Sequence, residues 1–590
     1  MIRNNKERFA SINAINQSQI LDSITIDDNQ NKKEVYSSNY KAHRRFLILT
    51  FLLVVFYSFT LLGATVYIDP TYSGSTQNGS MSNPYKSWKN FTINSGNTYL
   101  QKAGTTYNTT TPITISGKTN VIIGAYGTGA KPKIVTSSTG THIINITSSS
   151  NVVVKDIEVF TTGKWTSAII IQGSNAGNNV IDNTVLRKTE WGIRVLTTAG
   201  GNKIMRSTIN DIGDDGIYIK DASSIEIGFC TIFDINKKYL INTDQAYSAG
   251  DGIQIASVNN MVFNIHDNII DHSSMGNKFA IIAWGNNYSG IIERNTIIGN
   301  ASKVVSGIYL SPTTKTVTIR YNNIKNSNYG IYNYSKADVY YNIFSNNKTG
   351  IQTMAGYSLN ARNNVFYNNT ATAVSSATNT STTLRNNIFN ISNSGKAIKT
   401  SGTVSSNNNL FNTQTSGFIN SHSTLTAWRS ASGNDKASLV GNPGFVNPGN
   451  QDFHVVSTSV TINKGANVSL IKDYFGGTVP MSGAPDIGIH EFRTGKSGEI
   501  VYGDSLTGQK EMLVYPNPSV NGKFAVALGK TVEKADFEVF DMSGRLVKTA
   551  TVVQSAEGNL DMSTMPDGAY LIRVTSGQEN KVLKAIKAEK

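Results

Sequence analysis

The chain has 590 residues, of which only 16% are charged, and a formal net charge of +14. A single hydrophobic core rarely grows beyond about 250 to 300 residues, so this length predicts several domains or a repetitive fold. The one cysteine, Cys230, excludes an internal disulfide, and the absence of a CxxC pair argues against zinc or thiol redox chemistry. The polar residues are mostly Asn, Ser, Thr and Gly, which is typical of an extracellular β-rich scaffold and unusual for a cytosolic enzyme.

The N-terminus carries the features of an export signal. Residues 1–45 form a polar extension whose last five positions are rich in basic residues, and the segment 46–64 is an apolar run that ends in Gly63 and Ala64. This order predicts export, with cleavage after Ala64 because the run is short for a spanning helix of roughly 20 residues. A signal anchor with a short cytoplasmic tail is the alternative. No cysteine follows the run, which excludes a lipoprotein anchor.

The positive charge lies in the middle of the chain. Residues 65–493 contain 33 basic and 22 acidic residues, whereas residues 494–590 are balanced. A basic exported body indicates an acidic partner, and outside the cell this favours an acidic polysaccharide over nucleic acid. A basic surface that serves only solubility is the alternative.

Two short motifs recur in phase along this body. The first is a polar residue followed, two positions later, by Ile, Val or Phe, at intervals of 20 to 27 residues apart from one of 38. It begins at Asn183, Ser207, Cys230, Asn268, Asn295, Asn322, Asn342, Asn364, Asn387 and Asn409. The second is Gly-Ile-x-apolar, which begins at Gly192, Gly216, Gly252 and Gly307, with shorter forms at Gly330 and Gly350. Such a period with alternating apolar positions predicts a parallel β-solenoid, in which each coil buries its inward side chains against its neighbours.

The repeated asparagine has a structural explanation in such a fold. Coils of a solenoid lie about 4.8 Å apart, so equivalent residues form columns. A column of Asn at a bend predicts a ladder of side-chain amides that satisfies buried backbone groups. An Asn-rich disordered tract is the alternative, and the in-phase Ile, Val and Phe residues disfavour it.

These motifs resemble the right-handed parallel β-helix repeats of the pectate-lyase-like superfamily. The resemblance covers roughly residues 110 to 420, and the flanks extend it: Tyr67-Ile68-Asp69-Pro70 looks like the N-terminal cap, and Ala484-Pro485-Asp486-Ile487-Gly488 looks like the segment that closes such helices. We therefore predict an all-β chain with an N-terminal cap at 65–110, a right-handed parallel β-helix at 111–436 and a closing segment at 437–493. Caps matter because an uncapped solenoid end is an open sheet edge.

After a polar linker at 494–511, residues 512–590 have a different character. The segments 514–518, 540–545 and 567–574 predict a small antiparallel β-sandwich and closely resemble the C-terminal sorting domain of type IX (Por) secretion substrates. The resemblance implies that the type IX secretion machinery carries the chain across an outer membrane, which it contacts only during export, so that the body becomes secreted or attached to the cell surface. A carbohydrate-binding module is the alternative for this domain.

Acidic residues indicate where a site could lie on the β-helix. Residues 182–293 contain 13 Asp or Glu, whereas residues 295–434 contain only Asp338. The single interval of 38 falls in the same region, because about fifteen residues are inserted around positions 236–250. An oversized loop on one coil commonly marks the working face of a solenoid.

The repeat spacing predicts which residues in this region become neighbours. The position two before the strand Gly is occupied by Glu190, Asp214, Gly250 and Lys278 in successive coils. Clustered Asp residues suit Ca²⁺, which prefers oxygen ligands, and we predict Asp214, Asp215 and Asp251 as calcium ligands. The predicted catalytic residues are Lys278 as base, His272 as an alternative acid or base, and Arg294. The predicted substrate contacts are Arg194, Tyr218, Lys220, Gln254 and Trp284.

The resemblance implies a polysaccharide lyase that cleaves a uronate-containing chain by β-elimination. That reaction needs a cation to neutralise the uronate carboxylate, a base to remove its α-proton and an acid to protonate the leaving oxygen. A hydrolase of the polygalacturonase type is the first alternative, because Asp214-Asp215 looks like the acidic pair of that family, although its Gly-His-Gly and Arg-x-Lys motifs are missing. A non-catalytic surface protein that binds glycans is the second, since an Asp in such repeats often only caps a turn.

Overall fold

The body is a parallel β-solenoid in which each coil contributes one strand to each of three sheets. The computed structural model describes residues 63–164, 166–237, 250–257, 260–273, 279–302, 306–391, 395–413, 419–481, 483–493, 512–515, 519, 522–541, 545–577 and 579–587. Along the chain, the strands enter sheet 1, sheet 2 and sheet 3 in turn, and each pairs in parallel with the strand one coil away. The predicted parallel β-helix is thereby confirmed.

In the described part of the chain, the three sheets have 14, 14 and 12 strands. Sheet 1 consists of Thr65–Ile68, Thr98–Lys102, Ile122–Tyr126, Val153–Lys155, Val180–Asp182, Asn202–Met205, Ser224–Gly228, Met261–His266, Tyr288–Glu293, Thr316–Arg320, Lys336–Tyr340, Ser358–Arg362, Ser381–Arg385 and Thr403–Asn407. Sheet 2 consists of Thr106–Thr109, Lys133–Thr136, Glu158–Thr161, Val185–Thr189, Thr208–Ile212, Thr231–Phe233, Ile269–Asp271, Thr296–Ile298, Asn323–Lys325, Ile343–Ser345, Val365–Tyr367, Ile388–Ile391, Leu410–Thr413 and Leu439–Val440. Sheet 3 consists of Ile113–Ser116, His142–Thr147, Ser167–Gln172, Trp191–Leu196, Ile217–Lys220, Ile253–Ser257, Phe279–Gly285, Ser306–Leu310, Tyr329–Asn333, Thr349–Thr353, Thr372–Ser376 and Lys396–Thr400.

The interior of the solenoid is filled by columns of identical side chains. The Ile of the Gly-Ile motif forms one column, in which Ile193, Ile217 and Ile253 are directly paired and fully buried. On sheet 2, Phe344 and Phe366 belong to a stack of buried rings whose centroids are 5.0 Å apart. Because alternate residues of a strand face opposite sides, an outward column lies beside each inward one. The side chains of the outward column do not fill the core.

The asparagine ladder lies at the bend between sheets 1 and 2. The Asn322 side-chain oxygen accepts the backbone N–H of Asn295 at 2.9 Å, and its amide donates to the Asn342 oxygen at 2.9 Å. The predicted amide ladder is present from Asn268 to Asn409. At the first coil of the motif the prediction is wrong by one residue, because the buried partner of Ser207 is Thr184, at 2.9 Å, whereas Asn183 is exposed.

Both flanks of the solenoid pack onto it. At the N-terminal end, Trp88 and Tyr99 are buried in the same core as the first coils. Near the other end, helix α1 (Leu425–Ser432) contributes Leu425 and Trp428 to that core. The predicted closing segment 437–493 contributes the last strand of sheet 2, Leu439–Val440, and also packs on outward side chains of that sheet, where Phe453 joins a separate apolar cluster. This segment contains a hairpin, Phe445–Asn447 with Asp452–Val455, and a 3₁₀ helix, Pro448–Asn450.

The C-terminal domain has a core of its own. Its five strands, Leu513–Tyr515, Lys523–Asp541, Leu546–Asp561, Gly568–Ser576 and Glu579–Lys587, form one antiparallel sheet. The two long strands change register between Ala527 and Val532, which divides their pairing into two parts. Buried residues such as Phe524, Phe537 and Ile572 form a cluster that contains only residues of this domain.

The predicted linker, and the predicted export segment apart from its last two residues, lie outside the residues that the structure describes. Residues 1–62 and 494–511 lie outside the described part of the chain. Among the residues that the structure describes, helices that combine the length and the apolar character needed to cross a membrane are absent.

The amide ladder makes a testable contribution to stability. We expect Asn322→Leu to lower the free energy of unfolding by about 2 to 4 kcal/mol, because buried donors and acceptors of the adjacent coils lose their partner. Asn323→Ala is the matched control, since this outward neighbour makes no side-chain hydrogen bond to the described residues, and it should change stability by no more than about 0.5 kcal/mol. Urea unfolding followed by circular dichroism measures both, and equal losses would contradict the ladder's role.

Candidate functional site on sheet 3

An acidic pair lies at the bend between sheets 2 and 3. Glu190 and Asp214 precede equivalent glycines, Gly192 and Gly216, in adjacent coils. The backbone N–H of Asp214 donates to the carbonyl of Glu190 at 2.7 Å, which holds the two residues in register. The predicted column of acidic residues therefore exists for this pair.

Glu190 is the most perturbed carboxyl of this site. Only 3% of the residue is exposed, and its carboxylate has no hydrogen bond to any described residue. Burial and, to a smaller extent, the nearby Asp214 charge raise the pKa of Glu190 to about 7, while the Arg194 charge opposes the shift. A carboxylic acid that keeps its proton near neutral pH can act as a proton donor.

Asp215 and Asp251 have a structural task in the same bend. An Asp215 carboxylate oxygen accepts the backbone N–H of Asp251 at 2.8 Å, and an Asp251 oxygen accepts the N–H of Phe279 at 2.8 Å. Both residues are buried, and each one ties its coil to the next. Within the described ranges, moreover, the structure contains no group of three His, Cys, Asp or Glu side chains that could hold a metal ion. The cited bonds use one carboxylate oxygen of Asp215 and one of Asp251, and calcium binding by Asp214, Asp215 and Asp251 stays a prediction.

The predicted substrate contacts Arg194 and Tyr218 are neighbours on the outer face of sheet 3. They are paired across adjacent strands, and the Arg194 guanidinium lies over the Trp191 ring at 4.5 Å and the Tyr218 ring at 5.9 Å from the centroids. Among the described residues Arg194 makes no ion pair, and its buried Nε has no hydrogen-bond acceptor. Aromatic rings thus hold this cation in place and leave its charge for an incoming anion.

Gln254, Lys220 and Trp284 continue the same surface. Gln254 pairs with Tyr218 in the next coil, and Lys220 belongs to the parallel outward column, which runs through Ala256 to Trp284. Lys220 is exposed, and Trp284 is 55% exposed. The structure therefore brings all five predicted substrate contacts onto one face.

Two of the predicted catalytic residues, His272 and Arg294, are not part of this surface. His272 is fully buried inside the solenoid, its ring nitrogens have no described partner, and burial lowers its pKa to about 3. Arg294 lies at the bend between sheets 1 and 2, where it pairs with Asp267 at 2.9 Å and Glu293 at 2.8 Å. Lys278 lies outside the described residues, as does most of the inserted loop, 238–249.

A strip of aromatic side chains on sheet 3 was not predicted. Tyr309 and Tyr332 pair in adjacent strands, and their ring centroids are 5.8 Å apart. Tyr334 lies 5.7 Å from Tyr309, and Trp284 stacks on Tyr309 at 6.3 Å. The signal was present in the sequence, because Tyr occupies the outward position of the Gly-Ile motif at 307–310 and 330–332.

Glu190 gives the site a measurable pH dependence. Its folded-state pKa of about 7 exceeds the ordinary value of 4.5, so the folded chain keeps a proton that the unfolded chain releases between these values. The stability that this proton contributes is fully present below about pH 4.5, falls as the pH rises and levels off above about 7. We expect the free energy of unfolding of the wild type to fall between about pH 5 and about pH 8 by more than that of Glu190→Gln, because the variant side chain is neutral at every pH. Urea unfolding at both pH values measures this difference. Parallel pH profiles of wild type and variant would contradict the assignment.

Comparisons with known proteins agree with the fold. Residues 191–366 match the family model described as the right handed beta helix region, and residues 513–588 match that of the secretion system C-terminal sorting domain. No curated protein sequence matches the chain. Similar solved structures include the GH136 lacto-N-biosidase from Eubacterium ramulus, with 12% identity over 64% of this chain and 67% of that one and a TM-score of 0.33. They also include pectate lyase Pel9A, with 16% identity over 73% and 96% and a TM-score of 0.32, and tailspike protein 3 of bacteriophage CBA120, with 13% identity over 52% and 54% and a TM-score of 0.35.

Each family match falls within one of the two folded parts of the chain. The first covers seven consecutive coils of the described β-helix, which carry the site, and the second covers the C-terminal antiparallel sheet. The chain is a right-handed parallel β-helix protein with a C-terminal sorting domain of the Por secretion system.

Proposed function

We propose that the β-helix body is an exported enzyme that cleaves an acidic, uronate-containing polysaccharide, with β-elimination as its reaction. The observation that carries the proposal is the proximity of a buried, protonatable carboxyl, Glu190, to an outward cation, Arg194, that makes no ion pair with the described residues. The sorting domain supports export and a secreted or surface location. The excess of basic residues on the body favours an acidic glycan.

Arg194 supplies the first requirement of elimination. A guanidinium can bind a carboxylate in a bidentate manner, and this interaction withdraws electron density from the uronate and makes its α-proton more acidic. The Trp191 and Tyr218 rings restrict the guanidinium, so little freedom is lost when the substrate binds. Lys220, exposed in the adjacent column, adds a second positive charge.

Glu190 supplies the proton for the leaving oxygen. Its pKa of about 7 leaves a substantial protonated fraction at neutral pH, which a general acid requires. The base that removes the α-proton remains the sequence prediction Lys278. Asp215 and Asp251 each bind a backbone N–H group through a carboxylate oxygen, and no step of this reaction depends on calcium.

Hydrolysis is the second candidate, and the Glu190 and Asp214 pair favours it. Glycosidases use one protonated and one ionised carboxyl on either side of the scissile bond. Equivalent positions one coil apart, about 4.8 Å, favour the close pair of a retaining enzyme over the wider pair of an inverting one. The products distinguish the two reactions, since elimination leaves an unsaturated uronate and hydrolysis leaves only a new reducing end.

The activity of the full chain tests this proposal. We expect acidic polysaccharides to be cleaved with a rise in the ultraviolet absorbance of unsaturated uronate, and Arg194→Gln and Glu190→Gln each to lower kcat/KM by at least about 100-fold. The wild-type rate should fall as the pH rises above about 7, because Glu190 then loses its proton.

Phe229→Ala is the control variant, because this exposed side chain lies at the bend between sheets 1 and 2, away from the site. It should retain wild-type activity. New reducing ends without a rise in ultraviolet absorbance would show that the reaction is hydrolysis and not elimination. Binding without any cleavage would leave only the glycan-binding alternative.

A further inference from the structure

The outer face of sheet 3 changes its chemistry along the solenoid axis. One outward column is continuous through eight strands, and its members are Arg194, Tyr218, Gln254, Ile282, Tyr309, Tyr332, Gln352 and Ser375. Arg194 is the one charged residue among these described members. The next cation in the column is Lys399, one coil after Ser375.

The uncharged part of this column is the centre of the aromatic strip. Phe279 lies 4.7 Å from Tyr309, and Tyr332 lies 5.3 Å from Tyr334, between ring centroids. These rings are half-buried, and Trp284 is more than half exposed, so the strip presents ring faces and edges to solvent. An exposed aromatic surface that is continuous with a proposed site is a candidate for binding the same ligand.

We propose that this strip binds uncharged sugar residues, so that the polysaccharide is a mixed polymer in which uronates alternate with or branch from neutral sugars. The inference rests on the proposed function and identifies its substrate class. Pyranose rings have apolar C–H faces that pack on aromatic rings, and their hydroxyls can bond to the Gln254 and Gln352 amides or the tyrosine hydroxyls.

A polymer made only of uronates does not fit this surface. Such a chain carries one carboxylate per sugar, and several of these would lie over the coils from Gln254 to Gln352, where the column offers no cation. A carboxylate that loses water without gaining a partner weakens binding. Among the described residues of the two outward columns, Arg194 and Lys220 offer positive charge at one end of the strip, and Lys399 is the next cation, beyond Gln352 and Ser375.

Binding of the full chain to three classes of polymer tests the inference. The probes are neutral glycans (β-glucan and galactomannan), mixed glycans (glucuronoxylan and xanthan) and homouronates (polygalacturonate and alginate), compared by affinity gel electrophoresis. We expect the tightest binding to a mixed glycan. The double variant Trp284→Ala, Tyr309→Gln should weaken that binding at least about tenfold. Gln already occupies this column at position 254, so the second substitution suits the strand.

Two further variants distinguish the contribution of the Arg194 end of the surface to binding from that of the aromatic strip. Arg194→Gln should weaken binding to mixed glycans and leave binding to neutral glycans unchanged, and Phe229→Ala should change neither. A thermal unfolding midpoint equal to that of the wild type confirms that the double variant is folded.

Homouronates that bind as tightly as every mixed glycan, or a folded double variant with unchanged affinity, would overturn the inference even if cleavage is observed. A preference for mixed glycans without cleavage would overturn the catalytic proposal and leave this one standing. Absence of binding to all six polymers would overturn both.

Discussion

The structure depends on the lateral hydrogen bonds that hold each coil in register with the next. Parallel strands supply most of them, and buried backbone groups at the bends that do not pair in this way need other partners. The Asn ladder supplies these partners between sheets 1 and 2, and Asp215 and Asp251 supply them between sheets 2 and 3. Side chains that could be mistaken for functional groups therefore maintain the register on which every column depends.

Register also explains how a solenoid assembles a site from distant parts of the chain. Arg194, Tyr218 and Gln254 are 24 and 36 residues apart in sequence and adjacent in the sheet. The same geometry places Glu190 beside Asp214, so that burial and a like charge act together on one carboxyl. Since each coil contacts mainly its neighbours, the chemistry of the outer face can differ from one coil to the next without changing the core.

Much of this arrangement could be predicted from the sequence, and the errors have physical causes. The Gly-Ile motif fixes the inward Ile column, so the outward positions of Arg194 and Tyr218 follow from alternation. Residues at bends lack this constraint. His272 follows a strand of sheet 2 and turns inward, and Arg294 lies at a different bend from Arg194. Spacing reveals neither burial nor pKa, which is why Glu190 was placed in the right column without a role.

The same distinction bears on calcium and on catalysis. An Asp at a solenoid bend can bind a backbone N–H or a cation, and the two tasks compete for the same oxygens. In this chain the hydrogen bonds of Asp215 and Asp251 assign them to the bend. Glu190 has no such bond to a described residue. Its burial destabilises the charged carboxylate, which is why its pKa is raised. If this position needed only a turn residue, a neutral side chain would make the fold more stable. A buried carboxyl without a hydrogen bond to a described residue is therefore a stronger indication of a catalytic role than Asp215 or Asp251.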